Sequence, residues 1–260
     1  MNDVLLFTCG LDSFLANDLL IQNPHFQQLH RVYFNVHSRY SEYEIDFLKK
    51  WYPSSCVDII DILDLEKYEK PDAYLPNRNL MLLTLAQSIY DADFIWLNGT
   101  RDDRVSDNNT EFREAAERVL SISSGKNVSI KSVLDKVEKT EAVKEYCDFH
   151  KNPEKTLELL SKTFSCYSED LYEDQDLQYF KKTNNGYEEI GKTNVYGCME
   201  CPACFRRMCA LTAANLYVPF YDFPLVKKYR FDDNLDEKMY PNRVKSIKDY
   251  YEFMEYCGCD

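Results

Sequence analysis

Four cysteines carry the clearest chemistry in this chain. Cys198, Cys201 and Cys204 form a C-x2-C-x2-C run, and Cys166 ends a separate segment upstream. Two-residue spacing lets successive thiolates converge on one tetrahedral ion, and a fourth thiolate closes the shell, the chemistry of structural zinc. An iron–sulfur cluster is the rival occupant, and buried free thiols are the plain alternative. Cys9, Cys56, Cys147 and Cys209 read as small apolar residues in or near the core. Cys257 and Cys259 fall in an exposed tail with no assigned role.

A second candidate lies near the N-terminus, where an apolar run stops at the turn Phe7-Thr8-Cys9-Gly10-Leu11-Asp12-Ser13 and a helical pattern begins. After a parallel strand, the N–H groups of such a turn and the helix dipole favour an anion. Gly10 permits the backbone conformation and close approach, Thr8 and Ser13 supply hydroxyls, and Asp12 can cap the helix or hold magnesium. The turn lacks the spacing and lysine of a Walker A loop and is not a dinucleotide G-x-G-x-x-G. Taken alone, it serves anion binding or capping equally well.

The elements that must hold these residues follow from periodicity. Strands are expected at Val4–Thr8, Val32–Val36, Val57–Leu63 and Phe94–Leu97, alternating with helices near 12–22, 42–51, 77–90 and 110–121, with Pro76 at the start of the third. That alternation predicts a parallel α/β sheet. Beyond about Gly125 the pattern changes. Residues 135–162 read as two charged helices split by Asn152-Pro153. The polar stretch 167–196 reads as an insertion or small hairpin turning at Asn184-Asn185-Gly186. A helical pattern resumes over 202–217, and the tail from Phe231 is helical in part. The expected division is a nucleotide-binding α/β domain over 1–135 and a helical, metal-bearing region over 136–260.

Composition narrows the function. With 260 residues and 45% hydrophobic content the chain builds a substantial core, and its ten cysteines are not needed as a disulfide scaffold. A net charge of −13 argues against binding along a nucleic-acid backbone and favours a small substrate. No basic leader or bilayer-length apolar run is present, so a cytoplasmic protein with no membrane partner is expected. The oligomeric state is left open, a homodimer included.

Several segments, taken together, are similar to one family. Thr8-Cys9-Gly10-Leu11-Asp12-Ser13 is similar to the S-G-G-x-D-S pyrophosphate loop of the PP-loop ATP pyrophosphatases, and within them the chain resembles the 7-cyano-7-deazaguanine synthase (QueC) family. Asn35-Val36-His37-Ser38-Arg39-Tyr40 lies where that family has D-Y-G-Q-R-H. Leu75-Pro76-Asn77-Arg78-Asn79-Leu80 resembles its V-P-x-R-N-L. Asn98 to Asp103 parallels its G-x-N-x-x-D loop, and Asp107 with Glu111-Phe112 its P-D-x-R-x-E-F. Lys139-Thr140-Glu141 resembles S-K-x-E. Ser165-Cys166-Tyr167 and the cysteine run, with Arg206 just after, resemble S-C-Y and C-G-x-C-x-x-C-x-x-R.

The resemblance implies a Rossmann-like (HUP-type) parallel sheet flanked by helices, with an appended helical zinc-binding lobe. It implies an ATP-dependent carbon–nitrogen ligase of queuosine biosynthesis and nucleic-acid modification. Such an enzyme adenylates 7-carboxy-7-deazaguanine, admits ammonia to give the amide, and dehydrates the amide to 7-cyano-7-deazaguanine in a second ATP-driven round. In that scheme Asp12, Ser13, Arg78 and Lys139 act in catalysis. ATP and its pyrophosphate are held by Phe7, Thr8, Cys9, Gly10, Leu11, Asp12, Ser13, Arg39 and Gly99 with magnesium. The acceptor is held by Arg78, Asn79, Asp107, Glu111 and Tyr167, and structural zinc by Cys166, Cys198, Cys201 and Cys204. Four departures stand out: Cys9 for the first loop glycine, His37-Ser38 for Gly-Gln, a shortened 99–112 loop with Asn108 in place of its cysteine, and a long link between Cys166 and Cys198. Three readings follow: the synthase, a related ligase that stops at the amide or uses another amine, and a non-catalytic binding module.

Overall fold

A computed structural model describes residues 2–24, 28–102, 106–168, 172–198, 200–219 and 241–258. The chain divides into two units, Met1–Val137 and Glu138–Asp260.

The first unit is built on five parallel strands: β1 (Asp3–Leu6), β2 (His30–Asn35), β3 (Asp58–Asp61), β4 (Phe94–Trp96) and β5 (Ser129–Lys131). Parallel neighbours require crossovers, and α1 (Leu11–Ile21), α2 (Ser41–Trp51), α3 (Arg78–Tyr90) and α4 (Thr110–Ser124) supply them. The alternation of side chains along each strand assigns the two faces. Val4, Leu6, Val32, Phe34, Ile95 and Ile130 form one buried cluster with Leu83 and Ala86 of α3 and Ala116 and Leu120 of α4. Residues of opposite parity meet α1 and α2: Arg31 bonds Asn17, and the Tyr33 hydroxyl donates to Glu44 at 2.7 Å. Helices therefore cover both faces of the sheet. The strand β5 was outside the expected set because three residues with one buried isoleucine leave no readable period.

The order β3-β2-β1-β4-β5 decides where a ligand can enter. The chain winds outward from β1 through β2 to β3, then returns to place β4 on the other side of β1. The reversal leaves a crevice outside the carboxyl ends of β1 and β4, flanked by the loops that follow them.

Local chemistry sets the helix ends. Asn109 caps α4 by accepting from Phe112 N–H at 2.7 Å, and Gly125 stops the helix at φ +71°. Pro76 precedes α3 by two residues instead of opening it, because Asn77 takes a left-handed conformation at the cap.

The second unit contains α5 (Lys139–His150), α6 (Pro153–Leu160), an antiparallel hairpin β6 (Tyr172–Thr183) and β7 (Gly186–Gly197), α7 (Pro202–Ala213) and α8 (Pro241–Tyr256). The Asn152-Pro153 break is a cap followed by proline at the first helical position, with Asn152 accepting from Lys155 N–H at 3.0 Å. The hairpin expected in the 167–196 stretch is present and turns at Asn184-Asn185-Gly186, but with twelve residues in each strand it is long instead of small. Near its turn Phe180 and Tyr217 exchange backbone bonds of 2.8 Å, and Tyr187, Tyr217 and Phe253 pack ring to ring. Of the tail, Pro241–Tyr256 is helical, Cys257 is half-buried instead of exposed, and 220–240 and Cys259 lie outside the described residues. Among the described residues, no helix is long and apolar enough to cross a membrane.

Candidate active site and metal centre

The turn after β1 closes on itself. Thr8 N–H donates to Ser13 Oγ at 3.3 Å, Gly10 N–H to Thr8 Oγ1 at 3.4 Å, and Ser13 Oγ to Gly10 carbonyl at 3.0 Å. Phe7 is anchored below by its N–H to Val32 carbonyl, 2.8 Å, and by an edge-on contact with Tyr52, 5.0 Å between centroids. Gly10 is the N-cap of α1, and Asp12 stands in the first turn, where the dipole favours its charge, instead of capping. The expectation that Gly10 supplies the special backbone angle is corrected here. Gly10 has φ −61°, open to any residue, whereas Cys9 carries φ +50°. Left-handed backbone is where a family glycine would sit without strain.

His37, which also stands in the place of a family glycine, has φ +55° after β2. Its N–H donates to Asn35 Oδ1 at 3.0 Å, and its ring meets Asp61 at 2.7 Å, a bond that raises its pKa. Both substitutions keep the backbone conformation that glycine would serve and add a side chain to it.

Behind the pyrophosphate-type turn sits a polar cluster that periodicity did not reveal. The Glu44 carboxylate accepts from Tyr33, its backbone carbonyl lies 4.0 Å from the buried Cys9 sulfur, and Arg78 Nη1 donates to Tyr40 hydroxyl at 3.1 Å. Burial pushes the Glu44 carboxyl up to about 7, against the pull of the Tyr33 hydroxyl and the Arg78 guanidinium. The Tyr33 hydroxyl is raised too, by its own burial and by the Glu44 charge.

Arg39 is engaged by the chain itself. Its Nε and backbone N–H grip the Glu69 carboxylate at 2.8 and 2.9 Å, and its Nη2 donates to Lys70 carbonyl at 2.7 Å. The guanidinium thereby staples the 66–75 segment to the end of β2.

Beyond β4, Gly99 is joined to Ser132, its N–H donating at 3.5 Å and its carbonyl accepting at 3.2 Å. Asn79 and Asp107 are brought together: Asp107 Oδ2 accepts from Asn79 N–H at 3.3 Å, and Asn79 Nδ2 donates to Asp107 carbonyl at 3.0 Å. Glu111 is an exposed acid in the first turn of α4, favourably placed for that helix dipole. Arg113, which sequence reasoning passed over, is buried and holds Asn108 carbonyl at 3.1 Å and Asp135 at 3.2 Å. A charged residue on the core stripe of α4 was the available signal.

In the second unit the four expected thiols converge, all sulfurs lying within 4.8 Å of one another. A tetrahedral zinc–thiolate shell at about 2.3 Å per bond needs sulfurs about 3.8 Å apart, so a small contraction completes it. Backbone N–H groups already point at the sulfurs: Cys198 N–H at Cys166 Sγ (3.2 Å), Cys201 N–H at Cys198 Sγ (3.3 Å), and Cys204 N–H at Cys201 Sγ (3.5 Å). Hydrogen bonding led by the Cys166 thiol lowers Cys198 and Cys201, and the same shared bonds raise Cys166 and Cys204. The donor set fits a thiophilic ion such as zinc. Cys201 also caps α7, with Pro202 at its first position. The buried arginine beyond the run is Arg207 rather than Arg206. Its guanidinium holds Leu160 carbonyl at 2.7 Å and the Thr163 hydroxyl.

Lys139 and Tyr167 also belong to this second unit. Lys139 opens α5 half-buried, beside a capping box in which Glu138 N–H donates to Glu141 at 2.8 Å. Tyr167, 37% exposed, directly follows Cys166. Of the other cysteines, Cys9 and Cys209 are fully buried and Cys147 is half-buried, with burial pushing its thiol up to about 12. Cys56 is exposed, contrary to expectation, in a tight turn where its N–H bonds Pro53 carbonyl at 2.7 Å.

An open parallel sheet with an anion-type turn at its switch point is an architecture that suits nucleotide binding, and the chain adds a group of four thiols that could hold a metal ion. The family model described as queuosine biosynthesis protein QueC matches residues 25–215, and the chain belongs to that family and hence to the PP-loop superfamily. No curated protein gives a significant match. QueC proteins use ATP, which places this chain among ATP-utilising enzymes of ligase type. The match begins beyond the first loop, so the assignment of residues 8–13 rests on the geometry above.

Proposed function

We propose that this protein converts 7-carboxy-7-deazaguanine and ammonia to 7-cyano-7-deazaguanine at the expense of ATP. The observation that carries this reading is a closed hydroxyl-lined turn at the switch point of a QueC-family sheet. In the first round a carboxylate oxygen attacks the α-phosphorus of ATP and the bond to pyrophosphate breaks. Backbone N–H groups of residues 8–13 and the N-terminus of α1 stabilise the charge that grows on the leaving group. Ammonia then attacks the carbonyl carbon, AMP departs with the electron pair, and a proton is lost to give the amide. In the second round the amide oxygen attacks the α-phosphorus of ATP and pyrophosphate leaves; departure of AMP and loss of the two N–H protons then give the nitrile.

Asp12 is the residue proposed to carry magnesium at this turn, which would neutralise phosphate charge. Arg78 presents a planar fork to phosphate or carboxylate beside Tyr40. Zinc bound by Cys166, Cys198, Cys201 and Cys204 supplies structure, since four thiolates leave no open position.

The left-handed Cys9 and His37 are the observations that favour a second reading, a ligase that stops at the amide or transfers the activated acid to another amine. Incubation with ATP, magnesium, the carboxylate and ammonium, followed by mass analysis, separates the two. Nitrile with two AMP per product is the expected result, accumulation of amide supports the second reading, and absence of pyrophosphate release overturns both.

A further inference from the structure

Buried polar atoms in folded proteins are almost always paired, because stripping one of water without a partner is costly. Four exceptions lie on the loop that follows β4. Among the described residues, Asn98 Nδ2, Thr100 Oγ1, Asp107 Oδ1 and Asn108 Oδ1 are buried without a hydrogen-bond partner. Thr100 and Asp107 are only 4% and 7% exposed.

The pattern within the cluster is specific. Three of the four side chains are tied to the protein by one end, and the other end has no partner. Asn98 Oδ1 accepts from Val133 N–H at 3.2 Å, which fixes its amide so that the NH2 is the free end. Asn108 Nδ2 donates to Asn98 carbonyl at 3.4 Å, which fixes its oxygen as the free end and draws the 98–100 and 107–108 segments together. Asp107 uses Oδ2 on Asn79 N–H, leaving Oδ1. Arg113 holds the Asn108 backbone in place. The cluster therefore offers two acceptors, one of them on a carboxylate, one donor, and a hydroxyl able to act either way. It lies on the loop after β4, one of the two that flank the crevice of the sheet.

We propose that Asn98, Thr100, Asp107 and Asn108 form a pocket that reads the guanine-type edge of the acceptor ring. Asp107 and Asn108 accept from the ring N1–H and the 2-amino group, and Asn98 and Thr100 donate to the 6-oxo group. An adenine edge fits poorly, because its ring nitrogen would turn a lone pair toward an acceptor. The inference rests on the reaction proposed above only for the identity of the ring, and it assigns specificity to three residues, Asn98, Thr100 and Asn108, that the family resemblance did not.

The test is calorimetric binding to the full chain without ATP, comparing 7-carboxy-7-deazaguanine with its analogue lacking the 2-amino group. The parent protein should prefer the amino compound at least about tenfold, since a site built to hydrogen-bond a group leaves its own atoms unpaired when that group is missing. Asp107→Asn should erase most of the preference. Thr100→Val should weaken the amino compound about tenfold while its melting temperature holds or rises, because an unpaired buried hydroxyl has been removed. A lower melting temperature with unchanged binding would show that the hydroxyl has an internal partner or water, and overturns the pocket. Equal binding of both compounds by the parent overturns it as well. Specific ring binding without ATP-dependent product leaves the pocket standing and removes the proposed reaction, whereas product without discrimination at the 2-amino group does the reverse.

Discussion

A non-glycine residue at φ +50° carries a steric cost of about 1 kcal/mol or more, and Cys9, itself fully buried, bears it. Cys9→Gly relieves that strain, but it loses a buried thiol and gains unfolded-state freedom, so its stability should stay within about 1 kcal/mol of the parent. Cys9→Val adds β-branching in the same backbone well and should cost about 2 kcal/mol in urea unfolding. Equal stabilities for the glycine and valine variants would sink the left-handed assignment. Asp12→Ala should lower AMP formation by about 100-fold or more with metal content unchanged, because the thiols lie in the other unit; surviving activity refutes the loop assignment. Glu44 makes a pH statement. Its folded pKa of about 7 lies above the usual carboxylate value, so its contribution to stability is complete below about pH 4.5 and is lost as pH rises through 7. Parent stability should therefore fall relative to Glu44→Gln between pH 5 and pH 8. Parallel profiles for the two proteins would show that Glu44 does not titrate this way.

At the scale of elements, the four thiols gather pieces that lie far apart in sequence. Cys166 precedes β6, Cys198 directly follows β7, and Cys201 and Cys204 begin α7. The thiol cluster thus closes the base of the hairpin, and the aromatic packing of Tyr187, Tyr217 and Phe253 holds it near the turn. Removing the ion with a chelator, or one ligand with Cys166→Ser, should leave less than about one zinc per chain and raise hydrogen exchange over residues 166–212. Exchange in β1, β2 and β4 should change little. A chelated protein with unaltered exchange across 166–212 would mean that the ion is not structural. The long link between Cys166 and Cys198 adds only modest closure entropy, because that cost grows slowly with length and the β6–β7 ladder spans most of the link.

The whole molecule is strongly acidic, with a net charge of −13. Its proposed substrates are also anionic, so affinity has to come from local devices, namely the N–H groups of the 8–13 turn, magnesium and Arg78, and not from the overall field. A polyanion such as tRNA lacks such a matched site and meets net repulsion. Added tRNA should leave product formation unchanged, and no retention of tRNA is expected in a filter-binding assay at about 0.15 M salt. Tight, salt-sensitive retention would place the protein at the nucleic acid itself and argue against a free-base substrate.

Periodicity and spacing were enough to determine the parallel α/β class, the tetrathiol set and the turn after β1, because these depend on local order: alternating apolar runs, C-x2-C intervals, and a strand that stops at small residues. The tertiary structure alone decided the rest. It placed β4 against β1 and so created the switch-point crevice, which no local pattern encodes. It showed that Cys9 and His37, rather than Gly10, hold the left-handed angles, since φ is not written in residue type. It engaged Arg39 with Glu69, joined Asn79 to Asp107, and left buried polar ends at Asn98, Thr100 and Asn108. Whether a charged or polar group serves the fold or a ligand depends on which partners reach it across the chain, and those partners lie many residues away in sequence.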